Sequence, residues 1–199
     1  AEALTAARAA QSHIGLATSL ALNPEARARR DRVLEIASRV QGVGDAVLAA
    51  GELVEVATAQ ASASSAERDA VEKSELMRAL GADGAEPGKA LPAGVRSQIK
   101  QLEDDQKRRA KRAVVDGLDR AMTDLLSFYR DVLALQVGSD VDLVNQAQAS
   151  DVRAVAGASS PQQTLRRVDA ISTARTRLAS NVTPLLAVEA MTVALRPQG

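Results

Sequence analysis

The chain has 199 residues with 25 basic and 25 acidic side chains, so it exerts no strong average field on nucleic acid or anionic lipid. It contains no cysteine, which excludes disulfides, thiolate catalysis and thiolate metal sites. One phenylalanine and one tyrosine are its only aromatic residues, whereas pockets for small ligands are usually lined with aromatic side chains. The composition therefore favours helices packed through small aliphatic side chains, without a cofactor.

The start of the chain shows no basic segment followed by an apolar run, as a secretory signal would. No window approaches the roughly 20 apolar residues of a membrane-spanning helix. We therefore expect a cytoplasmic protein with no membrane partner.

The first forty residues predict three short helices. Residues 1 to 10 and 13 to 22 are Ala-rich and are separated at Gln11 and Ser12. Asn23 followed by Pro24 is a helix start, because the Asn side chain can cap free N–H groups and Pro suits the first helical position. This third helix should extend to Val40, before the glycines of the segment 42 to 44.

The next segment keeps helical spacing from Asp45 onward, although Leu53 to Val56 is β-branched enough to admit a strand. Helix is preferred because nothing nearby could pair with such a strand. Residues 81 to 94 concentrate Gly and Pro, which predicts an exposed flexible linker.

The most regular pattern lies beyond this linker. Apolar residues at spacings of 4, 3, 4, 3, 4 and 3 form a heptad series: Val114, Leu118, Ala121, Leu125, Phe128, Val132 and Leu135. This series predicts one long helix with an apolar stripe, ending at Gly138 to Asp140.

Three further helices are predicted after the heptad helix. The first covers Val141 to about Val155, and the second begins at Ser160-Pro161, where Gln163 completes a capping box. The last begins with Thr183 as the cap and Pro184 at the first helical position. Its apolar residues cover more than one stripe, so we expect other helices or another subunit to pack on several of its sides. The predicted fold class is all-α.

Several apparent chemical motifs fail on inspection. Gly88-Lys89 lacks the glycine and the hydroxyl residue that a phosphate loop needs at positions 83 and 90. His13 is the only histidine and has no second ligand at metal-binding spacing. Paired carboxylates such as Asp104 and Asp105 lie in a charged, solvated stretch. No catalytic, metal-binding or cofactor-binding residue is predicted, and the chain is not expected to be an enzyme by itself.

A basic run leaves two interpretations open. It places five cations within six residues: Lys107, Arg108, Arg109, Lys111 and Arg112. Such a run could contact nucleic-acid phosphates. However, three acidic residues precede three of these cations by four positions, which favours ion pairs within the helix. A solvated, self-paired helix face is preferred, and a nucleic-acid-binding module is the alternative.

Three segments carry a family resemblance. Leu125 to Leu135 (LLSFYRDVLAL), the following Leu143 to Asn145, and the final NVTPLLAVEAMTVAL resemble the C-terminal collar domain of δ′ subunits of the bacterial DNA polymerase III clamp loader. Residues 12 to 17 (SHIGLA) are similar to the end of the helical lid in the AAA+ module of that family.

The resemblance implies that residues 1–42 form a portion of the lid. It implies that residues 43–199 form a helical collar domain, which contains the flexible segment 81–94. It implies a non-catalytic stator, which assembles through the collar with the ATPase subunits and the δ subunit to load the sliding clamp during DNA replication. Gly15 falls where ATP-hydrolysing relatives carry a sensor arginine, which suits a subunit that does not hydrolyse ATP. DNA would be contacted indirectly.

Tyr129 and Arg130 are the candidate subunit-contact residues, because Tyr and Arg are enriched in protein interfaces. The alternative is that Arg130 and Asp131 simply pair locally. Phe128, on the heptad stripe, is predicted to lie in the core.

Overall fold

A computed structural model describes residues 2–10, 14–82, 91–180 and 182–197. Within these ranges the chain forms eight α-helices and no strand, which confirms the all-α prediction. The helices are α1 (Glu2–Ala9), α2 (Ile14–Leu22), α3 (Pro24–Arg39), α4 (Val43–Ala79), α5 (Ala93–Gln136), α6 (Ala149–Ala158), α7 (Pro161–Ala179) and α8 (Pro184–Leu195). A single 3₁₀ turn, Gln146–Gln148, precedes α6.

The chain divides into two compact units. Unit 1 comprises Ala1–Val54 and Leu118–Gly199, and unit 2 comprises Glu55–Gly117. The first 42 residues therefore belong to the same unit as the C-terminal helices, and the predicted boundary between residues 42 and 43 does not coincide with this division.

Two of the three predicted cap sites form as expected. The side chain of Asn23 accepts N–H bonds from Glu25 and Ala26. Ser160 and Gln163 exchange the two hydrogen bonds of a capping box. Thr183 is the N-cap residue of α8 and Pro184 opens the helix, but the side chain of Thr183 makes no capping bond.

The long helices continue through the ambiguous stretches. Leu53 to Val56 is helical within α4, which confirms the choice of helix over strand. Helix α4 also includes the Ala/Ser-rich residues 57 to 66 and ends at Ala79. Of the predicted linker 81 to 94, residues 83–90 lie outside the described part, and α5 already begins at Ala93.

Helices α4 and α5 end in the same way. The N–H of Ala82 donates to the carbonyl of Met77, and the N–H of Ser139 donates to that of Ala134. The intervening Gly81 and Gly138 have φ of 65° and 68°, which glycine adopts without strain. The predicted end of the heptad helix near Gly138 is confirmed.

The core of unit 1 contains the largest buried side chains. The heptad residues Leu118, Leu125, Phe128 and Val132 are at most 1% exposed. Buried side chains of the C-terminal helices belong to the same core: Ile171, Ala174 and Leu178 of α7, and Val188, Met191 and Leu195 of α8. The predicted core position of Phe128 is confirmed.

Candidate functional site

The predicted contact residues Tyr129 and Arg130 differ completely in exposure. Tyr129 has no exposed surface, so its side chain cannot form the direct subunit contact that the sequence predicted, and this part of the prediction is wrong. The reason is that Tyr129 lies beside Phe128 in the core, with the two rings 5.6 Å apart at 84°. Arg130 keeps 47% of its side chain exposed and stays a candidate contact.

Tyr129 lies in an unusual environment. The guanidinium of Arg167, itself buried, lies 5.8 Å from the centre of the Tyr129 ring, within cation–π distance. The hydroxyl of Tyr129 is buried and has no hydrogen-bond partner. Burial raises the pKa of Tyr129 to about 12, against the opposing effect of Arg167. The phenol therefore stays neutral and unpaired.

The alternative for Arg130 and Asp131 is observed in part. Arg130 donates to the carboxylate of Asp131 at 2.7 Å and to the carbonyl of Asp142 at 3.1 Å. Local pairing therefore occupies one guanidinium nitrogen of Arg130, Nη1. The contact role of this residue stays a prediction.

A buried polar cluster surrounds Asp131, which sequence reasoning did not single out. Its carboxylate accepts the backbone N–H of Val144 at 3.1 Å and that of Asn145 at 2.7 Å. The side-chain amide of Asn145 donates to the same carboxylate at 2.9 Å. Because these bonds hold residues 141 to 145 in a non-helical conformation, α6 begins at Ala149, and the predicted start at Val141 is wrong.

Further polar contacts link the N-terminal helices to the C-terminal half within unit 1. Arg30 donates to the carboxylate of Asp124 at 2.8 Å, and both side chains are largely buried. Burial raises the pKa of Asp124 despite this ion pair. Arg8 pairs with Asp142 at 2.8 Å.

Helix α8 leaves part of its apolar surface uncovered. Its inner side chains, Val188, Met191 and Leu195, are at most 2% exposed. On its first turn, Leu185 is 40% exposed and Leu186 is 60% exposed. Glu189 is the only ionisable residue between Pro184 and Leu195. We call this pair of leucines the α8 patch; it is a part of the helix that the described residues leave substantially exposed.

The five cations of the basic run differ in their contacts. Arg109 donates to Asp69 and Glu72 of α4, so it belongs to the contact between the two long helices of unit 2. Lys107 lies 3.6 Å from Asp104, and Arg108 donates to Asp105. Lys111 and Arg112 are exposed. Pairing within the helix is therefore seen for two of the five cations, Lys107 and Arg108, at a spacing of three residues where four was predicted. Arg109 pairs with the other helix instead.

Other classes of site are not found in the described part of the chain. No group of three His, Cys, Asp or Glu side chains there could hold a metal ion, and no helix there is long and apolar enough to cross a membrane. His13 and Gly88-Lys89 lie outside the described residues. The chain matches no protein-family model, no curated protein and no solved structure.

Proposed function

We propose that this chain is the C-terminal, non-catalytic part of a clamp-loader δ′ subunit of bacterial DNA polymerase III. It acts in the cytoplasm as a stator, and its helical collar associates with sister subunits while the sliding clamp is loaded on DNA. The sequence resemblance of residues 125 to 195 to collar domains is the origin of this proposal. The all-α fold is consistent with it.

The observation that carries the proposal is the α8 patch. Leu185 and Leu186 are each about half exposed, so a partner that covered both would gain about 2 kcal/mol of burial free energy in all, and adjacent exposed leucines on a helix of low charge are a candidate partner surface. In a ring of subunits each member uses two different faces, and the α8 patch would supply one of them. Arg130, exposed on α5, is the second candidate contact.

A co-purification experiment tests this proposal. The full chain would be co-expressed with the ATPase subunits and the δ subunit, and the mass of the complex would be measured. We expect Leu185→Ser together with Leu186→Ser to weaken assembly at least tenfold, because the polar replacements remove the apolar contact. Arg130→Ala should have a smaller effect.

The matched control is Ile14→Ser with Leu22→Ser, two exposed apolar residues of α2 outside the predicted collar. This variant should assemble as the unchanged chain does, and circular dichroism should show equal helicity for both variants. Failure of the unchanged chain to join the other subunits would overturn the proposal. Equal assembly of the α8 variant would remove the α8 patch from it.

A further inference from the structure

The outward face of α5 in unit 2 carries a row of basic side chains. Arg96, Lys100, Lys107 and Lys111 follow one another at spacings of 4, 7 and 4 residues. At 100° per residue these positions fall within an arc of about 60° on the helix surface. All four side chains are exposed, whereas residues towards the opposite face of the helix, such as Val95 and Leu102, are half-buried. We call these four residues the cationic row.

The cationic row is distinct from the basic run of the sequence. Two of its members, Arg96 and Lys100, lie outside the run and were not recognised from the sequence. Within the described residues, neither of their side chains nor that of Lys111 has a hydrogen bond or ion pair. Lys107 approaches Asp104 at 3.6 Å on the exposed surface. The row therefore presents charges that the protein itself leaves largely unneutralised.

The carboxylates next to the row are partly occupied elsewhere. The carboxylate of Glu103 accepts a hydrogen bond from Lys73 of α4 at 2.7 Å, which lowers the pKa of Glu103. Its charge is therefore paired with a cation of the other helix. Glu103 and Asp104 flank the row, each about 20° outside its arc on the helix surface. Residues 93 to 117 of α5 carry seven basic and four acidic side chains, so this helix surface is positive although the whole chain is neutral.

We propose that the cationic row binds the phosphate backbone of duplex DNA. From Arg96 to Lys111 the helix rises about 22 Å, the length of about six base pairs. A straight row of flexible cations matches a regular line of phosphates without reading bases.

Two other polyanions fit the surface less well. Residues 55 to 117 contain no aromatic side chain on which the bases of a single strand could stack. The apolar residues of α5 nearest the row, Val95, Ile99 and Leu102, are half-buried and not exposed, which disfavours insertion into a membrane surface. Duplex DNA is therefore the occupant that the geometry favours. This inference does not depend on the proposed function, because it rests on α5 alone.

Fluorescence anisotropy of the full chain with a labelled duplex of 20 base pairs tests the proposal. Sequence-independent contacts of this kind give dissociation constants in roughly the micromolar range. With three to four phosphates contacted, binding should weaken roughly 20- to 50-fold between 50 and 150 mM KCl. The test variant replaces the whole row: Arg96→Gln, Lys100→Gln, Lys107→Gln and Lys111→Gln. We expect it to lose at least tenfold in affinity.

The control variant removes the same charge from unit 1. It replaces four exposed arginines that have no ion pair among the described residues: Arg32→Gln, Arg153→Gln, Arg166→Gln and Arg177→Gln. If the row binds DNA, this variant keeps at least half of the affinity. Equal loss in the two variants would show a general charge effect and overturn the proposal, as would no binding at 50 mM KCl. A preference for vesicles with anionic lipid or for a single strand over the duplex would overturn it too.

Discussion

Units 1 and 2 are both helical but differ in what holds their helices together. In unit 1 the buried side chains are large, with Phe128, Tyr129, Ile171 and Met191 at most 1% exposed. In unit 2 the buried residues of the described part are three alanines, Ala57, Ala61 and Ala82, which are 4–7% exposed. The two units are both helical, but unit 2 buries less apolar surface. We therefore expect unit 2 to unfold locally at a lower free energy than unit 1.

Polar contacts take the place of a large core in unit 2. Across α4 and α5, Lys73 pairs with Glu103, and Arg109 pairs with Asp69 and Glu72. Exposed ion pairs of this kind contribute at most about 1 kcal/mol each. Unit 1 instead contains buried polar contacts, such as those of Asp131 with Asn145. Removing one partner of such a contact lowers the free energy of unfolding strongly, because the other partner stays buried and unpaired. Four predictions follow from this contrast, in order of decreasing effect.

Asp131→Ala should cause the largest loss of stability. The substitution leaves the backbone N–H groups of Val144 and Asn145 buried without an acceptor, and we expect the free energy of unfolding to fall by about 3 to 4 kcal/mol. Urea denaturation followed by circular dichroism measures the change. The control is Asp142→Ala, an exposed carboxylate paired with Arg8, which should cost at most about 1 kcal/mol. Similar losses in both variants would contradict the importance of the buried cluster.

Tyr129→Phe should stabilise unit 1. The hydroxyl of Tyr129 is buried without a partner, and its removal eliminates an unsatisfied polar group while keeping the ring against Phe128 and Arg167. We expect a gain of about 1 kcal/mol in the free energy of unfolding. Tyr129→Leu, which loses the ring contacts, should destabilise. A loss of stability in the Phe variant would mean that the hydroxyl has a partner, such as a bound water.

Gly117→Ala should stabilise unit 2 by about 0.7 kcal/mol, the gain from replacing a glycine inside a helix. The added methyl group would lie 3.5 Å from the methyl group of Ala57, an ordinary van der Waals contact. Gly51→Ala is the matched control, because nothing lies within 4 Å of its added methyl group and it changes α4 within unit 1. Amide hydrogen exchange should show increased protection in residues 99 to 113 for Gly117→Ala. For Gly51→Ala the increase should fall outside that range. Destabilisation by Gly117→Ala would show that α4 and α5 have no room for a methyl group at this position beside Ala57.

Acid should weaken unit 2. Hydrogen bonds from Arg109 lower the pKa of Glu72, and a hydrogen bond from Lys73 lowers that of Glu103. Their stabilisation is therefore present above the ordinary glutamate value of 4.5 and is lost as the pH falls through the lowered pKa values.

In unit 1 the corresponding effect of Asp124 has the opposite sign, because burial raises its pKa and acid removes no stabilisation from that group. Hydrogen exchange at pH 6 and pH 4, corrected for intrinsic rates, measures the difference. Protection should fall first in residues 99 to 113. Earlier loss of protection in residues 122 to 132 would contradict the assignment of weak electrostatic support to unit 2.

Local signals in the sequence determined the helices and most of their ends. Asn23-Pro24, the Ser160–Gln163 capping box and Gly138 each act within a few residues, so they could be recognised without knowing the fold. The heptad spacing likewise identified Leu118, Leu125, Phe128 and Val132 as core residues, since one apolar stripe on a long helix must be buried.

Tertiary structure decided what depends on residues distant in the sequence. The delayed start of α6 follows from the carboxylate of Asp131, which takes N–H groups 13 and 14 residues away. The burial of Tyr129, the direction of Arg109 towards α4 and the exposure of Leu185 and Leu186 depend on which helices pack together. The sequence by itself determined the eight helices and the main apolar stripe, because those depend on local capping and periodicity. Only the folded chain decided which polar groups are enclosed and which apolar groups stay in water, because that depends on contacts between distant helices.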